Sequence, residues 1–275
     1  MTHEESQQQD PPSTRKTFQE QGYVVIDNAF GEETLQHLRD TVAELSPPCP
    51  GELHGLLAQA PELVALLDKP NLLNPVLDIL GSQIHLIHSS VASIPPGAES
   101  MVWHEDGPRP WSYPAIDGAR ALILLRVGIP LETEESGEHK RLVVIPGSHR
   151  HPFPHPHEAH LIWERDDVHE VEVPPGSAVL FHNGLWHTTA PNQTLEPLRQ
   201  VYLVFAPMWH KQLDYSTPPE PLLKAIDQLA EERQGNLKQL VGVEGEHGAI
   251  SAMFPTEEEA PLLQKTQPDI PASGA

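Results

Sequence analysis

Pro174-Pro-Gly-Ser-Ala-Val-Leu-Phe-His-Asn-Gly-Leu-Trp-His187, then Thr188-Thr-Ala-Pro-Asn192, then Arg199-Gln-Val-Tyr-Leu-Val-Phe205, is the stretch on which the fold turns. Pro-Gly and Pro-Asn pairs are turn chemistry, and the runs between them are short, β-branched and aromatic. They read as a turn, a strand over Ala178–His187 with an irregularity at Gly184, a second turn, and a strand over Arg199–Phe205. The same punctuation recurs toward the N-terminus. Apolar or alternating runs lie at Ile84–Ile94, Met101–Asp106, Ala121–Leu131, Leu142–Ile145 and Val168–Val173. Seven short runs of this kind, parted by Pro/Gly turns, predict a β-sandwich or barrel.

Helical patterns flank that core. Gly22-Tyr-Val-Val-Ile-Asp27 reads as one more strand, and Glu32–Leu45 as a helix with Leu35, Leu38, Val42 and Leu45 on one stripe, stopped by Pro47-Pro48. Pro61–Leu67 and Asn71–Leu80 read as short helices, the second ended by Gly81. A helix returns over Leu222–Leu240. The polar segment 1–14 is expected to be a disordered tail and the acidic, Pro-containing 255–275 a loose one. A single domain over 15–254, with its β-core at about 84–207, lies between them. The chain shows no internal repeat.

The chain has 275 residues, with 17 Lys plus Arg against 39 Asp plus Glu, a formal charge of -22. A surface that acidic repels phosphate backbones and anionic lipid, so neither nucleic acid nor membrane is an expected partner. The one cysteine, Cys49, excludes an intramolecular disulfide and a cysteine-based zinc cage, and fits a reducing compartment. There is no basic, apolar leader and no run of spanning length, so the expected location is cytoplasmic. The 17 histidines instead direct attention to a metal site built from nitrogen and oxygen.

Two places carry such chemistry. In Trp103-His104-Glu105-Asp106-Gly107, a strand would project His104 and Asp106 to one side and Glu105 to the other. Some 80 residues on, His187 closes a strand and Arg199 opens the next, and antiparallel pairing of the two would let both face one pocket. Two imidazoles and a carboxylate form the facial triad suited to non-haem Fe(II), with three coordination positions open. A 2-oxo acid chelates through two of them and leaves one for dioxygen. Its distal carboxylate needs a cation, which Arg199 supplies as a bidentate fork, with the Thr189 hydroxyl sharing the load.

The sequence resembles the phytanoyl-CoA dioxygenase family of Fe(II)/2-oxoglutarate-dependent oxygenases. The likeness begins at Phe18-x-x-x-Gly22-Tyr-Val-Val-Ile26 and runs through the helix at 32–45 to Leu80-Gly81. It continues in Trp103-His104-Glu-Asp106, Val144-Ile-Pro-Gly-Ser-His149, Pro175-Gly-Ser-Ala-Val-Leu-Phe181, His187-x-Thr189-x-Pro-Asn192 and Arg199, spanning roughly residues 18–207. The resemblance implies a double-stranded β-helix: a mainly β, cupin-like jelly-roll with flanking helices. It implies His104, Asp106 and His187 as iron ligands, Arg199 as the 2-oxoglutarate anchor and Thr189 as the hydroxyl beside it. Fe(II), 2-oxoglutarate and dioxygen are the implied cofactors, and hydroxylation of a small organic substrate with release of succinate and CO2 the implied activity. Related halogenases replace the carboxylate to admit chloride, so Asp106 implies hydroxylation rather than halogenation. The segment Glu135-Ser-Gly-Glu-His-Lys-Arg141 departs from the family pattern.

Further residues are candidates. Arg126, inside the apolar run Leu122–Pro130 with Gly128 beside it, either binds an anionic group of cofactor or substrate, or else reaches the rim or pairs with a carboxylate. Arg109, in a loop after the first motif, is a second candidate for an anionic substrate, and His88 for the cofactor pocket. Trp103 and Trp186 read as packing beside the site. His149-Arg-His-Pro-Phe-Pro-His-Pro-His157 reads as a loop over the pocket mouth, because its prolines bar the regular structure that would align the imidazoles. Two other classes remain open: a non-catalytic metal-binding jelly-roll, and a cupin-like metal isomerase or dioxygenase that does not use 2-oxoglutarate.

Overall fold

The computed structural model describes residues 13–106, 120–131, 140–154 and 157–243. Antiparallel sheets dominate. A six-stranded sheet has the order β1-β7-β4-β9-β3-β2, and a three-stranded sheet the order β6-β5-β8. The strands are β1 (Tyr23–Ile26), β2 (Gly51–His54), β3 (Ile84–Ile94), β4 (Leu125–Pro130), β5 (Lys140–Val144), β6 (His169–Glu172), β7 (Ala178–His182), β8 (His187–Thr189) and β9 (Leu198–Pro207). This is a jelly-roll core with flanking helices.

Period-two alternation explains both faces of the large sheet. Leu125, Val127 and Ile129 of β4 share a face with Val201, Leu203 and Phe205 of β9, their cross-strand partners. That face packs under α2 (Glu32–Leu45) and α4 (Pro70–Leu80) in one apolar cluster with Leu35, Leu38, Leu72, Leu73 and Val76. Val179 and Phe181 of β7 and Tyr202 of β9 occupy the opposite face, against Leu142 and Val144 of the small sheet. The interior between the two sheets is this second face.

Several elements differ from the sequence reading. Helix α1 (Thr14–Gln21), which the sequence reading did not include, begins inside the segment assigned to the tail, with Ser13 capping Lys16 N–H and Gly22 ending it at φ 82°. The edge strand β2 and the short helix α3 (Leu56–Gln59) were not legible as apolar runs. Residues 101–106 hold one isolated bridge, His104 to His187, instead of a strand. Ala178–His187 is two strands: β7 in the large sheet and β8 in the small one, joined by a turn at Asn183–Trp186. Leu222–Leu240 is likewise two helices, α5 (Glu220–Asp227) and α6 (Glu231–Leu240). The break lets Leu222, Ile226, Leu237 and Leu240 all reach the core, while the Gln234 side chain donates to the Asp227 and Leu229 carbonyls. Among the described residues no helix is long and apolar enough to cross a membrane. The tails 1–12 and 255–275 lie outside the described residues, as does Arg109.

Candidate metal centre

The change of sheet at Asn183–Trp186 builds the site. Gly184 permits it: a Cβ there would fall 2.4 Å from Cβ of Arg120. Leu185 N–H closes the turn on the His182 carbonyl at 2.9 Å. The Asn183 side chain accepts from Ile123 and Leu124 N–H, and its carbonyl accepts from Asp106 N–H at 2.7 Å. His104 and His187 then exchange both backbone bonds, at 3.0 and 2.9 Å. The segment 104–106 is therefore fixed by pairing to the turn and to β8, rather than by strand alternation of its own.

These bonds bring His104, Asp106 and His187 together, with one donor atom from each within 4.8 Å of the others. Each imidazole is fixed by its own backbone. His104 Nδ1 lies 2.9 Å from the Val102 carbonyl, and His187 Nδ1 lies 2.9 Å from that of Leu185. A carbonyl only accepts, so both Nδ1 atoms carry the proton and both Nε2 lone pairs are left for a ligand. His187 Nε2 is 3.7 Å from Asp106 Oδ2. Burial pushes the His187 pKa down to about 4, which keeps its ring neutral and able to coordinate. Burial also opposes charge on Asp106, but the Arg126 guanidinium, with His187 and His104, outweighs it and holds the carboxyl below its ordinary value.

Arg126 pairs with a carboxylate, one of the two roles open to it. Its Nη1 donates to both Asp106 oxygens, at 3.2 and 3.1 Å, and its guanidinium lies 4.7 Å from the centre of the Tyr202 ring. Glu105 points away, as the sequence indicated, into a buried ion pair with Arg120 at 2.9 Å. Thr189 follows His187 by two residues in β8 and so shares its face, and its hydroxyl accepts from Met101 N–H at 3.3 Å. Phe181 packs its ring edge-on to His187, 5.0 Å between centres.

Strand pairing does not carry Arg199 to this cluster. β8 pairs with β5, and β9 with β3 and β4, so the expected pairing of the strands that carry His187 and Arg199 does not occur. Regular pairing of β9 at Arg199, opposite Ser93, puts Arg199 in phase with Val201 and Leu203 on the helix-covered face. Gln200, Tyr202 and Val204 alternate onto the inner face, and Val204 is the cross-strand partner of both Arg126 and His88.

His88 faces inward but bonds Asp214, away from the triad. Trp103 and Trp186 do pack as a core cluster, with Val143 and Ile162. Of the loop that starts at His149, His149 itself is buried, lies tilted against His182 with ring centres 4.9 Å apart and bonds the Gln19 carbonyl, while residues 155–156 lie outside the described residues. The sequence reading passed over Tyr202, Asn183 and Arg120. Their signals were present only as an apolar-strand tyrosine, a turn asparagine and the glycine at 184.

A family model described as phytanoyl-CoA dioxygenase (PhyH) matches residues 18–201. No curated protein matches the chain. Among solved structures it is similar to EctD from S. alaskensis with 2-oxoglutarate and 5-hydroxyectoine, at 22% identity, 80% of this chain, 86% of that chain and a TM-score of 0.58. It is similar to HygX from Streptomyces hygroscopicus with iron bound, at 20% identity over 73% of this chain and 90% of that one, TM-score 0.59. It also resembles SnoN, a non-heme alpha-ketoglutarate-dependent epimerase from nogalamycin biosynthesis, at 17% identity over 69% and 79% of the two chains, TM-score 0.53. At these identities the likeness is one of fold.

Proposed function

The chain belongs to the phytanoyl-CoA dioxygenase family, and from that premise we propose a non-haem Fe(II)- and 2-oxoglutarate-dependent oxygenase that hydroxylates a small organic substrate. One observation carries the reading: two imidazoles with Nδ1 tied to backbone, grouped with a charged carboxylate so that one donor atom of each lies within 4.8 Å of the others. Two neutral nitrogens and one carboxylate oxygen are the donor set non-haem Fe(II) takes, and three donors leave positions for a chelating oxo acid and for dioxygen. Bound there, iron with 2-oxoglutarate and dioxygen supplies oxidation of a C–H bond coupled to formation of succinate and CO2.

The chain's own residues hold and orient. His104 and His187 donate lone pairs, and Asp106 supplies the negative charge that makes a dication favourable in a buried site. Arg126 holds Asp106 in place through Nη1, while Nε and Nη2 of its fork point no hydrogen bond at a described residue. Among the described residues it is the cation on the inner face beside the triad, so we assign it the co-substrate carboxylate, in the role first expected of Arg199. Thr189 adds a hydroxyl on the same side. With Arg126 assigned to Asp106 and to the co-substrate, and Arg109 outside the described residues, an anionic preference in the substrate is not carried forward. No side chain has to act as a general base.

The test is visible absorbance while 2-oxoglutarate is added to the Fe(II)-loaded protein without oxygen. A metal-to-ligand charge-transfer band is expected. Arg126→Ala should weaken 2-oxoglutarate binding at least tenfold, about 1.4 kcal/mol, and Arg199→Ala should leave it within about twofold. No band in the metallated wild type overturns the reading. Loss of binding in Arg199→Ala alone overturns the assignment to Arg126. Product analysis then separates hydroxylation, which adds one oxygen atom, from epimerisation, which adds none.

A further inference from the structure

A second set of donors stands at the free edge of the large sheet. β2 places Glu52 opposite Ala92 and His54 opposite Ser90 of β3, and His88 lies two residues before Ser90 on the same face. One atom from each of Glu52, His54 and His88 lies within 4.8 Å of the others. His54 Nδ1 and His88 Nε2 face each other at 3.4 Å, and Glu52 Oε1 is 4.0 Å from His54 Nδ1.

The 3.4 Å separation is informative. Two nitrogens bonded to one tetrahedral zinc ion at about 2.0–2.1 Å stand about 3.4 Å apart, which the imidazoles match, while Glu52 Oε1, 4.0 Å from His54 Nδ1, has to close by about 0.6 Å to complete the set. Adjacent positions of an octahedron at the same bond length would bring them to about 2.9–3.0 Å. A direct N–H···N bond is at its weak limit at 3.4 Å. The surroundings are those of a built site. His88 Nδ1 bonds Asp214 Oδ1 at 2.5 Å, and Asp214 Oδ2 accepts from Ser89 N–H at 2.8 Å and from the Ser89 hydroxyl at 2.9 Å. That buried carboxylate fixes the proton on Nδ1 and turns the Nε2 lone pair toward His54, the carboxylate–histidine arrangement that orients metal ligands. Ser90 Oγ donates to Glu52 Oε1 at 2.5 Å and holds the third donor. The His54 side chain is 65% exposed, which admits a water as fourth ligand.

We infer that Glu52, His54 and His88 form a second divalent-cation site, tetrahedral and of the zinc class, sharing no residue with the His104–Asp106–His187 centre. It crosslinks the four-residue edge strand β2 to β3, where backbone pairing on one side alone holds β2.

Equilibrium dialysis of the full chain against Zn(II), and visible spectra with Co(II) in its place, test this. The wild type should hold two equivalents, and Co(II) should show the intense d–d absorption of a tetrahedral site. His54→Ala, a surface change, should lose one equivalent and that absorption. His187→Ala should lose one equivalent and keep the absorption. Wild-type stoichiometry and spectrum retained in His54→Ala and in His88→Gln would overturn the proposal, as would a single wild-type equivalent lost only in His187→Ala. A single equivalent lost only in His54→Ala would support the second site while counting against the first.

Discussion

Gly184 shows how one hydrogen in place of a methyl sets a metal centre. The turn that carries the chain from one sheet to the other passes so close to Arg120 that an alanine Cβ would meet Cβ and Cγ of that residue at 2.4 and 2.6 Å. Arg120 is itself locked to Glu105, between the two N-terminal ligands. An alanine therefore has to push the arm that bears His104 and Asp106 away from His187. Gly184→Ala is expected to cost about 1–3 kcal/mol of stability and to weaken Fe(II) binding beyond what the melting shift explains. A thermal melt beside a metal titration measures both. At this scale the motif residues His104, Asp106 and His187 were legible, because their types and order are what the chemistry needs. The cation was not. Choosing between Arg126 and Arg199 requires the phase of β9, and a one-residue change of phase exchanges the faces. The face of His88 was hidden for the same reason: a register shift between Leu86 and His88 breaks the alternation of β3, and no local pattern announces it.

Among the elements, the crossover from β8 to β9 is tied by the side chain of Asn192, with the Thr194 hydroxyl bridging to Glu196. Asn192 Nδ2 donates to the carbonyls of Ile94 and Glu196, both at 2.9 Å, and its Oδ1 accepts from Thr194 N–H and hydroxyl. It is 1% exposed, so alanine strips four hydrogen bonds from a buried position, while the Glu196 carbonyl keeps the Thr194 hydroxyl. Asn192→Ala should cost about 2–4 kcal/mol, at about 1 kcal/mol or more per lost bond, read as a lower urea midpoint with an unchanged slope. Because Thr189 stands at the start of that crossover, 2-oxoglutarate affinity should fall as well. Most elements could be read from sequence. The stripe of α2 and the apolar run of β3 gave bounds that match the structure at both ends. What failed was continuity. Ala178–His187 looks like one strand because both halves are buried, and nothing in burial distinguishes one sheet from two. Leu222–Leu240 looks like one helix because both halves are amphipathic. β2 carries no apolar run at all, since it lies at an edge with exposed and half-buried residues.

For the molecule as a whole, the acidic composition and the buried histidines together fix how stability responds to pH. His182 and His149 lie in contact between α1 and β7, and burial lowers both pKa values, that of His182 to about 3. The His182 Nδ1 accepts from Gly184 N–H at 2.8 Å, a bond that protonation at that nitrogen removes. In the unfolded chain the same rings titrate near 6.5. Below that value the unfolded state binds more protons, so stability is fully present above about pH 6.5 and is lost as pH falls, by up to about 1.4 kcal/mol per pH unit for each such histidine. Protonation of surface carboxylates works the other way, because it relieves the mutual repulsion behind a net charge of -22. The two contributions separate in a variant. His182→Asn keeps an acceptor for Gly184 N–H but has nothing to protonate. Melting temperatures followed from about pH 8 to about pH 5 should fall more steeply in the wild type than in His182→Asn, with the curves parallel above about pH 7. Equal slopes across the whole range would mean that the buried histidine pair does not set the acid limit of this fold.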